Sequence, residues 1–139
     1  MNGPSTFDTN VAIYAFLGEA KSEMAASVVE RADLVSVQVL NEFTNVASRK
    51  FKRSWAEISI AVERLRASVS TVLPIDASAQ GDAMRIAARY RLSFYDALML
   101  AVALSGGART FYSEDMQHGL VVDDTLRVVD PFRSEDFNA

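Results

Sequence analysis

Short apolar segments alternate along the chain with longer segments of helical periodicity, and this alternation constrains the fold more than any other feature. Two helical segments separate the first short segment from the second, the second from the third and the third from the fourth. Connections of this length, with helices in them, join parallel strands. The sequence therefore predicts an α/β fold with a central, mainly parallel sheet of about four to five short strands flanked by helices. The predicted strands cover residues 5–7, 34–35, 71–73, 110–112 and 126–129.

The composition limits both the size of the fold and its chemistry. A chain of 139 residues, half of them hydrophobic, is long enough for one domain with a sizeable core. We expect that domain at residues 1–132 and a polar tail at 133–139. The sequence has no cysteine and a single histidine, which excludes disulfides, thiol nucleophiles and zinc sites built from Cys or His clusters. Chemistry must come mainly from carboxylates and hydroxyls.

Hydropathy and charge limit where the protein is located and which partners it binds. No apolar run approaches the roughly 20 residues of a membrane-spanning helix, and no secretory signal pattern opens the chain. We therefore expect a soluble cytoplasmic protein with no membrane partner. A net charge of −4 argues against a broad basic surface for nucleic acid. Divalent cations bound in an acidic pocket would neutralise that charge, so a metal-dependent nuclease is not excluded.

Four acids lie where the predicted elements would bring them together. Asp8 directly follows the first predicted strand and Asp115 follows the fourth, while Glu42 and Asp96 lie on helices that begin on the same side of the sheet. In a doubly wound sheet the carboxyl ends of the strands face one crevice. Carboxylates gathered there repel one another unless cations bind between them. Oxygen ligands alone favour Mg²⁺, with Mn²⁺ as a substitute.

Each of these acids also has a simpler explanation when it is considered alone. Asp8 is a favourable helix N-cap, and Asp96 completes a capping box with Ser93 and suits the helix dipole. Glu42 is explained equally well as a solvated helical residue, and Asp115 as the start of a turn. Only the combination of four acids from four segments points to a shared site.

Five phrases of the sequence occur in the order and spacing of a known family. They are Phe7-Asp8-Thr9-Asn10-Val11, Asn41-Glu42-Phe43, Tyr95-Asp96-Ala97-Leu98, Tyr112-Ser113-Glu114-Asp115 and Val128-Val129-Asp130-Pro131-Phe132. Together they resemble the PIN domain family and, within it, the VapC-type toxins. The resemblance implies a metal-dependent endoribonuclease that acts as the toxin of a toxin-antitoxin pair and is held inactive by a cognate antitoxin. It also implies a homodimer.

The resemblance assigns roles to particular residues. It implies that the catalytic and metal-binding residues are Asp8, Glu42, Asp96 and Asp115, with Thr9, Asn10 and Ser113 as polar neighbours. Such a site hydrolyses RNA with water activated by Mg²⁺ or Mn²⁺, which leaves a 5′-phosphate and a 3′-hydroxyl.

A basic run interrupted by an aromatic residue is the candidate RNA-binding segment. The run consists of Arg49, Lys50, Lys52 and Arg53 around Phe51. Its cations suit RNA phosphates and its aromatic ring suits a base, although a solvated helix end explains the same pattern. We expect nearby Trp55 to pack in the core or at a helix interface.

Two other functions are compatible with parts of the sequence. A phosphotransfer domain, either phosphatase or receiver-like, also carries an aspartate after its first strand. The phosphatase would need a second acid two residues after Asp8, where Asn10 stands, and the receiver would need a late lysine, whereas the last one is Lys52. The second of these functions is that of a catalytically silent PIN-like module that binds RNA or protein.

Overall fold

The computed structural model describes residues 3–18 and 20–133, which form six helices and six short strands. Residues 134–139 of the expected tail lie outside the described residues. In chain order the elements are β1 (Ser5–Phe7), α1 (Thr9–Phe16), α2 (Ser22–Arg31), β2 (Leu34–Ser36), α3 (Val37–Arg49), α4 (Trp55–Ala67), β3 (Thr71–Leu73), α5 (Ala77–Tyr90), α6 (Phe94–Ser105), β4 (Thr110–Tyr112), β5 (Val121–Val122) and β6 (Leu126–Val129).

The main sheet has four strands in the order β1-β4-β6-β5. Strands β1, β4 and β6 are parallel, and β5 pairs antiparallel with β6 as a hairpin. Because β1 and β4 are parallel and end in register, Phe7 opposite Tyr112, the residues that follow them emerge at the same edge. We call this edge the carboxyl edge of the sheet.

Strands β2 and β3 form a separate parallel pair beside β1. Asp33, which precedes β2, bridges the two sheets: its N–H donates to the Ser5 carbonyl at 2.9 Å, and its Oδ2 accepts from the Ser5 N–H at 3.0 Å. The buried Thr6 hydroxyl donates to the Leu34 carbonyl at 2.7 Å. The second sheet therefore adjoins β1 through one backbone hydrogen bond and two hydrogen bonds that involve side chains.

Five of the six helices begin at short polar side chains that accept hydrogen bonds from the first backbone N–H groups, as helix N-caps do. These caps are Asp8, Ser36, Ser54, Asp76 and Ser93. Helix α6 is buried on all sides at residues 97–103, which is the environment that an apolar helix requires. It lies at the centre of the domain, and its amino-terminal turn lies toward the carboxyl edge.

The predicted α/β fold with a mainly parallel central sheet of short strands is confirmed. The limits of the five predicted strands agree with the structure within one residue, well inside the usual uncertainty of such boundaries. The prediction missed β5, because a two-residue strand has too little sequence to show an alternating pattern. The expected packing of Trp55 was wrong: this side chain opens α4 and is 66% exposed.

Within the described residues, none of the helices combines the length and apolarity needed to cross a bilayer.

Candidate active site

The site begins where β1 and β4 end. The Asp8 N–H donates to the Tyr112 carbonyl at 2.8 Å, which continues the ladder one residue beyond the strands. The next side chains, Asp8 and Ser113, are therefore neighbours, and Ser113 Oγ donates to Asp8 Oδ2 at 2.8 Å. The other carboxylate oxygen of Asp8 accepts from the Thr9 N–H at 2.7 Å. Asp8 is both the N-cap of α1 and a carboxylate of the site.

Ser113 is fully buried and organises the loop that follows β4. Its hydroxyl oxygen accepts from the N–H groups of Asp115 and Met116, both at 3.2 Å. The hydroxyl hydrogen is directed to Asp8, so one side chain satisfies three partners. This arrangement turns the chain sharply and brings Asp115 back toward α1.

Two further polar side chains, both at the start of α1, contact two of the other acids, Glu42 and Asp115. Thr9 Oγ1 donates to Glu42 Oε1 at 2.8 Å, and Gln38 Nε2 donates to the other oxygen of Glu42 at 3.1 Å. Asn10 Nδ2 donates to Asp115 Oδ2 at 3.0 Å. Each residue that the sequence identified as a polar neighbour therefore contacts one of the four acids.

Asp96 lies in the first turn of α6, where its N–H donates to the Ser93 hydroxyl at 3.3 Å. Burial raises the pKa of Asp96, and the charges of Asp115 and Glu42 raise it further. The charges of Asp96 and Glu42 act in the same sense on Asp8. The four carboxylates thus interact as one group, which we call the acidic centre: Asp8, Glu42, Asp96 and Asp115.

Burial is also the main reason that the pKa of Asp8 rises from 3.8 to about 6. The hydrogen bonds from Ser113 and the Thr9 N–H favour the ionised form and lower the pKa, but they do not outweigh the loss of water around the carboxylate. At neutral pH the ionised Asp8 carboxylate therefore lowers the stability of the metal-free fold. A bound cation relieves such a cost.

The donors of the acidic centre fit a hard divalent cation, because all of them are carboxylate oxygens and they repel one another. Across residues 3–18 and 20–133, no three or more His, Cys, Asp or Glu side chains are already grouped closely enough to hold a metal ion. Hydrogen bonds to Thr9, Asn10 and Ser113 hold three of the acids instead. The donor atoms are therefore of the type that a hard divalent cation prefers. The described side chains are not yet arranged as a coordination shell.

Stability of the metal-free protein is expected to fall as the pH rises from 5 to 7. A carboxyl whose pKa is 3.8 when unfolded and about 6 when folded binds its proton more tightly in the native state. Its stabilising contribution is complete below 3.8, is lost as the pH passes about 6, and amounts to at most about 3 kcal/mol.

Urea titrations at several pH values in EDTA measure this effect, and Mn²⁺ should restore stability most strongly at pH 7 and above. An increase in the free energy of unfolding over this interval without metal would contradict the burial of Asp8 as an ionised group.

The candidate RNA-binding run lies at the carboxyl-terminal end of α3, the end opposite its Ser36 cap. Arg49 ends that helix, and Glu42 lies between the two ends. The cations of the run are exposed, and Arg53 also lines a groove of about 140 Å³ beside Phe16 and Ile58. The structure is compatible with both predicted roles, phosphate contact and solvated helix end.

Three residues near the site were missed by the sequence interpretation. They are Tyr14, Lys21 and Glu114, which form hydrogen bonds and an ion pair beside Asp115. Tyr14 stands one helical turn after Asn10, and that spacing was available in the sequence. The partners of Glu114 were not available, since they lie about a hundred positions earlier in the chain.

Comparison with known proteins places this chain in a family. Residues 6–120 match the PIN domain family. The chain therefore belongs to the PIN domain family. A comparison with curated proteins found no significant match.

Two solved structures share the fold. One is a toxin-antitoxin complex from Klebsiella pneumoniae, with 20% identity, a TM-score of 0.65, and coverage of 93% of this chain and 98% of that chain. The other is Mycobacterium tuberculosis VapC20, a Sarcin-Ricin loop cleaving toxin, with 20% identity, a TM-score of 0.60, and coverage of 77% and 86%. At this identity the likeness concerns the fold.

Proposed function

We propose that the protein is a divalent-metal-dependent endoribonuclease that acts as the toxin of a toxin-antitoxin pair. The observation that carries the proposal is the acidic centre at the carboxyl edge of a PIN-domain sheet, in which the buried Asp8 and its neighbouring carboxylates repel one another. The two related structures support it, because one is a toxin-antitoxin complex and the other is a toxin that cleaves RNA. RNA and a cognate antitoxin are the proposed partners, a homodimer the proposed assembly and the cytoplasm the proposed location.

In this proposal Asp8, Glu42, Asp96 and Asp115 hold Mg²⁺, for which Mn²⁺ can substitute. When bound, the metal supplies a Lewis acid that makes water a stronger nucleophile and neutralises charge on the phosphate. Ser113 keeps the Asp8 carboxylate in one orientation and ionised by donating to it, while Asn10 and Thr9 orient Asp115 and Glu42. Attack by water leaves a 5′-phosphate and a 3′-hydroxyl.

Cleavage of total cellular RNA by the purified protein tests the proposal. The reaction is run with Mg²⁺, with Mn²⁺ and with EDTA, and the new ends are mapped. Metal-dependent cuts with 5′-phosphate ends are expected. Cyclic 2′,3′-phosphate ends would contradict hydrolysis by water. Absence of both cleavage and stabilisation by metal would favour a catalytically silent binding module, and phosphate bound covalently to Asp8 would favour a phosphotransfer domain.

The basic run of Arg49, Lys50, Lys52 and Arg53 is proposed to contact RNA phosphates. The double substitution Lys50→Gln, Lys52→Gln is expected to weaken binding of single-stranded RNA about tenfold. The slope of the logarithm of the binding constant against the logarithm of the salt concentration should become smaller in magnitude by about one. Filter binding in EDTA at several salt concentrations measures both quantities without cleavage. An equal loss in Arg127→Gln, an exposed cation near the start of β6, would show that only net charge matters.

A further inference from the structure

Glu114, the residue before Asp115, is held through both of its carboxylate oxygens. The Tyr14 hydroxyl donates to Oε1 at 2.5 Å, and the Lys21 ammonium forms an ion pair with Oε2. Tyr14 belongs to α1, Lys21 immediately precedes α2, and Glu114 belongs to the loop after β4. Three segments therefore meet at one side chain. We call Tyr14, Lys21 and Glu114 the Glu114 clamp.

Aromatic rings support the cation of the clamp. The Lys21 ammonium lies 5.0 Å from the ring centre of Tyr14 and 5.4 Å from that of Phe132. These two rings pack edge to face with their centres 5.3 Å apart. A cation placed over aromatic rings and bonded to a carboxylate is restrained in direction as well as in distance. The Lys21 ammonium therefore has more partners than the cation of a simple surface ion pair, in which only the carboxylate restrains it.

The same face of α1 contacts the loop at two consecutive residues. Asn10 donates to the Asp115 carboxylate, and its Oδ1 accepts from the Glu114 N–H at 3.4 Å. Tyr14, four residues further along the helix, contacts the Glu114 side chain. Residues four apart share a helix face, so the loop is attached to α1 at successive turns. The attachment also determines how far Asp115 lies from the rest of the acidic centre.

Asp115 is the member of the acidic centre that most needs such support. Its side chain is exposed, in contrast to the buried Asp8, and it stands in a polar turn with no regular secondary structure. Its charge still acts on Asp96, so the loop must remain close to α6 as well as to α1. Repulsion among the acids pushes this exposed carboxylate outward, and the clamp opposes that movement from the adjacent residue.

We propose that the Glu114 clamp is a positioning device that holds Asp115 in the acidic centre. Glu114, Tyr14 and Lys21 act on the reaction only through Asp115 and have no contact with RNA or metal in this role. The inference rests on the proposed function where cleavage is concerned. The position of the loop itself is testable without cleavage.

The test compares Glu114→Ala and the conservative Tyr14→Phe with a matched control. Arg85→Met is that control, because it breaks a bidentate ion pair with Asp123, in the turn between β5 and β6 that precedes β6. Strand β6 is parallel to β4, so this turn lies at the end of the sheet opposite the carboxyl edge. Tyr14→Phe removes only the hydroxyl and keeps the ring against Phe132.

Hydrogen exchange of the metal-free proteins is the first measurement. Glu114→Ala is expected to speed exchange at the amides of residues 114–116 about tenfold, with a smaller increase in Tyr14→Phe and none in Arg85→Met. Unchanged exchange at these amides in Glu114→Ala would overturn the proposal. An equal increase in Arg85→Met would also overturn it, since the effect would then be a general loss of stability.

The dependence of RNA cleavage on Mn²⁺ is the second measurement. Glu114→Ala is expected to need about tenfold more Mn²⁺ for half-maximal cleavage, with kcat at saturating Mn²⁺ reduced only about twofold. A large fall in kcat with an unchanged Mn²⁺ requirement would overturn the positioning role. If the wild-type protein cleaves no RNA, the proposed function fails, whereas hydrogen exchange and the rise in melting temperature with Mn²⁺ still decide whether the clamp holds Asp115.

Discussion

Asp8→Asn is expected to abolish RNA cleavage and, in the same molecule, to stabilise the metal-free fold. Asp8 is 7% exposed, and burial raises its pKa to about 6, so its charge is unfavourable in the metal-free fold at neutral pH. Asparagine has nearly the same shape and still accepts from the Thr9 N–H, but it carries no charge for burial and neighbouring acids to penalise. Loss of the same charge also removes an oxygen anion that we propose binds the metal.

The two effects have opposite signs and are measured separately. Cleavage is expected to fall by about a hundredfold or more, since a charged ligand contributes several kcal/mol to a metal-assisted reaction. The free energy of unfolding in EDTA at pH 7.5 should rise by about 1 to 2 kcal/mol, less than the full pKa change because the Ser113 hydrogen bond is weakened. The rise in stability with Mn²⁺ should disappear.

Asp124→Asn is the matched control for this substitution. Asp124 is exposed in the turn before β6, has a positive φ of 56° that asparagine also tolerates, and lies at the opposite end of the sheet. It should change neither cleavage nor metal response. If Asp8→Asn destabilised the metal-free protein or retained full cleavage, Asp8 would not be the buried anion at the centre of the site.

Ser113→Ala is expected to be among the most destabilising single changes on this edge of the sheet. The hydroxyl is fully buried, accepts from the N–H groups of Asp115 and Met116, and donates to Asp8. Removing it leaves these partners without their hydrogen bonds, which costs about 2 to 4 kcal/mol. It also removes a donor that favours the ionised form, so the pKa of Asp8 should rise further.

Urea denaturation of Ser113→Ala, with Ser105→Ala as the control, measures this cost. Ser105 Oγ donates to the Val102 carbonyl at the end of α6, an exposed position where water can replace the hydroxyl. Its loss should cost about 0.5 kcal/mol or less. Equal stability of the two variants would mean that the loop after β4 does not depend on the Ser113 hydroxyl. Cleavage by Ser113→Ala should also need more Mn²⁺, because Asp8 and Asp115 both lose orientation.

The sequence interpretation was most accurate where structure depends on neighbours along the chain. The cap Ser93 could be placed because a cap accepts from an N–H group about three residues later. It was least accurate for Trp55, because whether a side chain on a helix packs or lies exposed depends on which helix comes to rest against it. The acids could be grouped through the rule that parallel strands end at a common edge and through the resemblance to the PIN domain family.

The sequence by itself determined the order of helices and strands apart from β5 and the mainly parallel sheet, and it predicted which acids lie near the carboxyl edge. Only the tertiary structure decided that β2 and β3 pair apart from the main sheet, that burial raises the pKa of Asp8, and that Glu114 is held by Tyr14 and Lys21. The physical reason is the distance along the sequence over which each interaction acts. Periodicity and capping act over a few residues, whereas desolvation and the contacts of Glu114 depend on segments that are distant in sequence and meet only after the chain has packed.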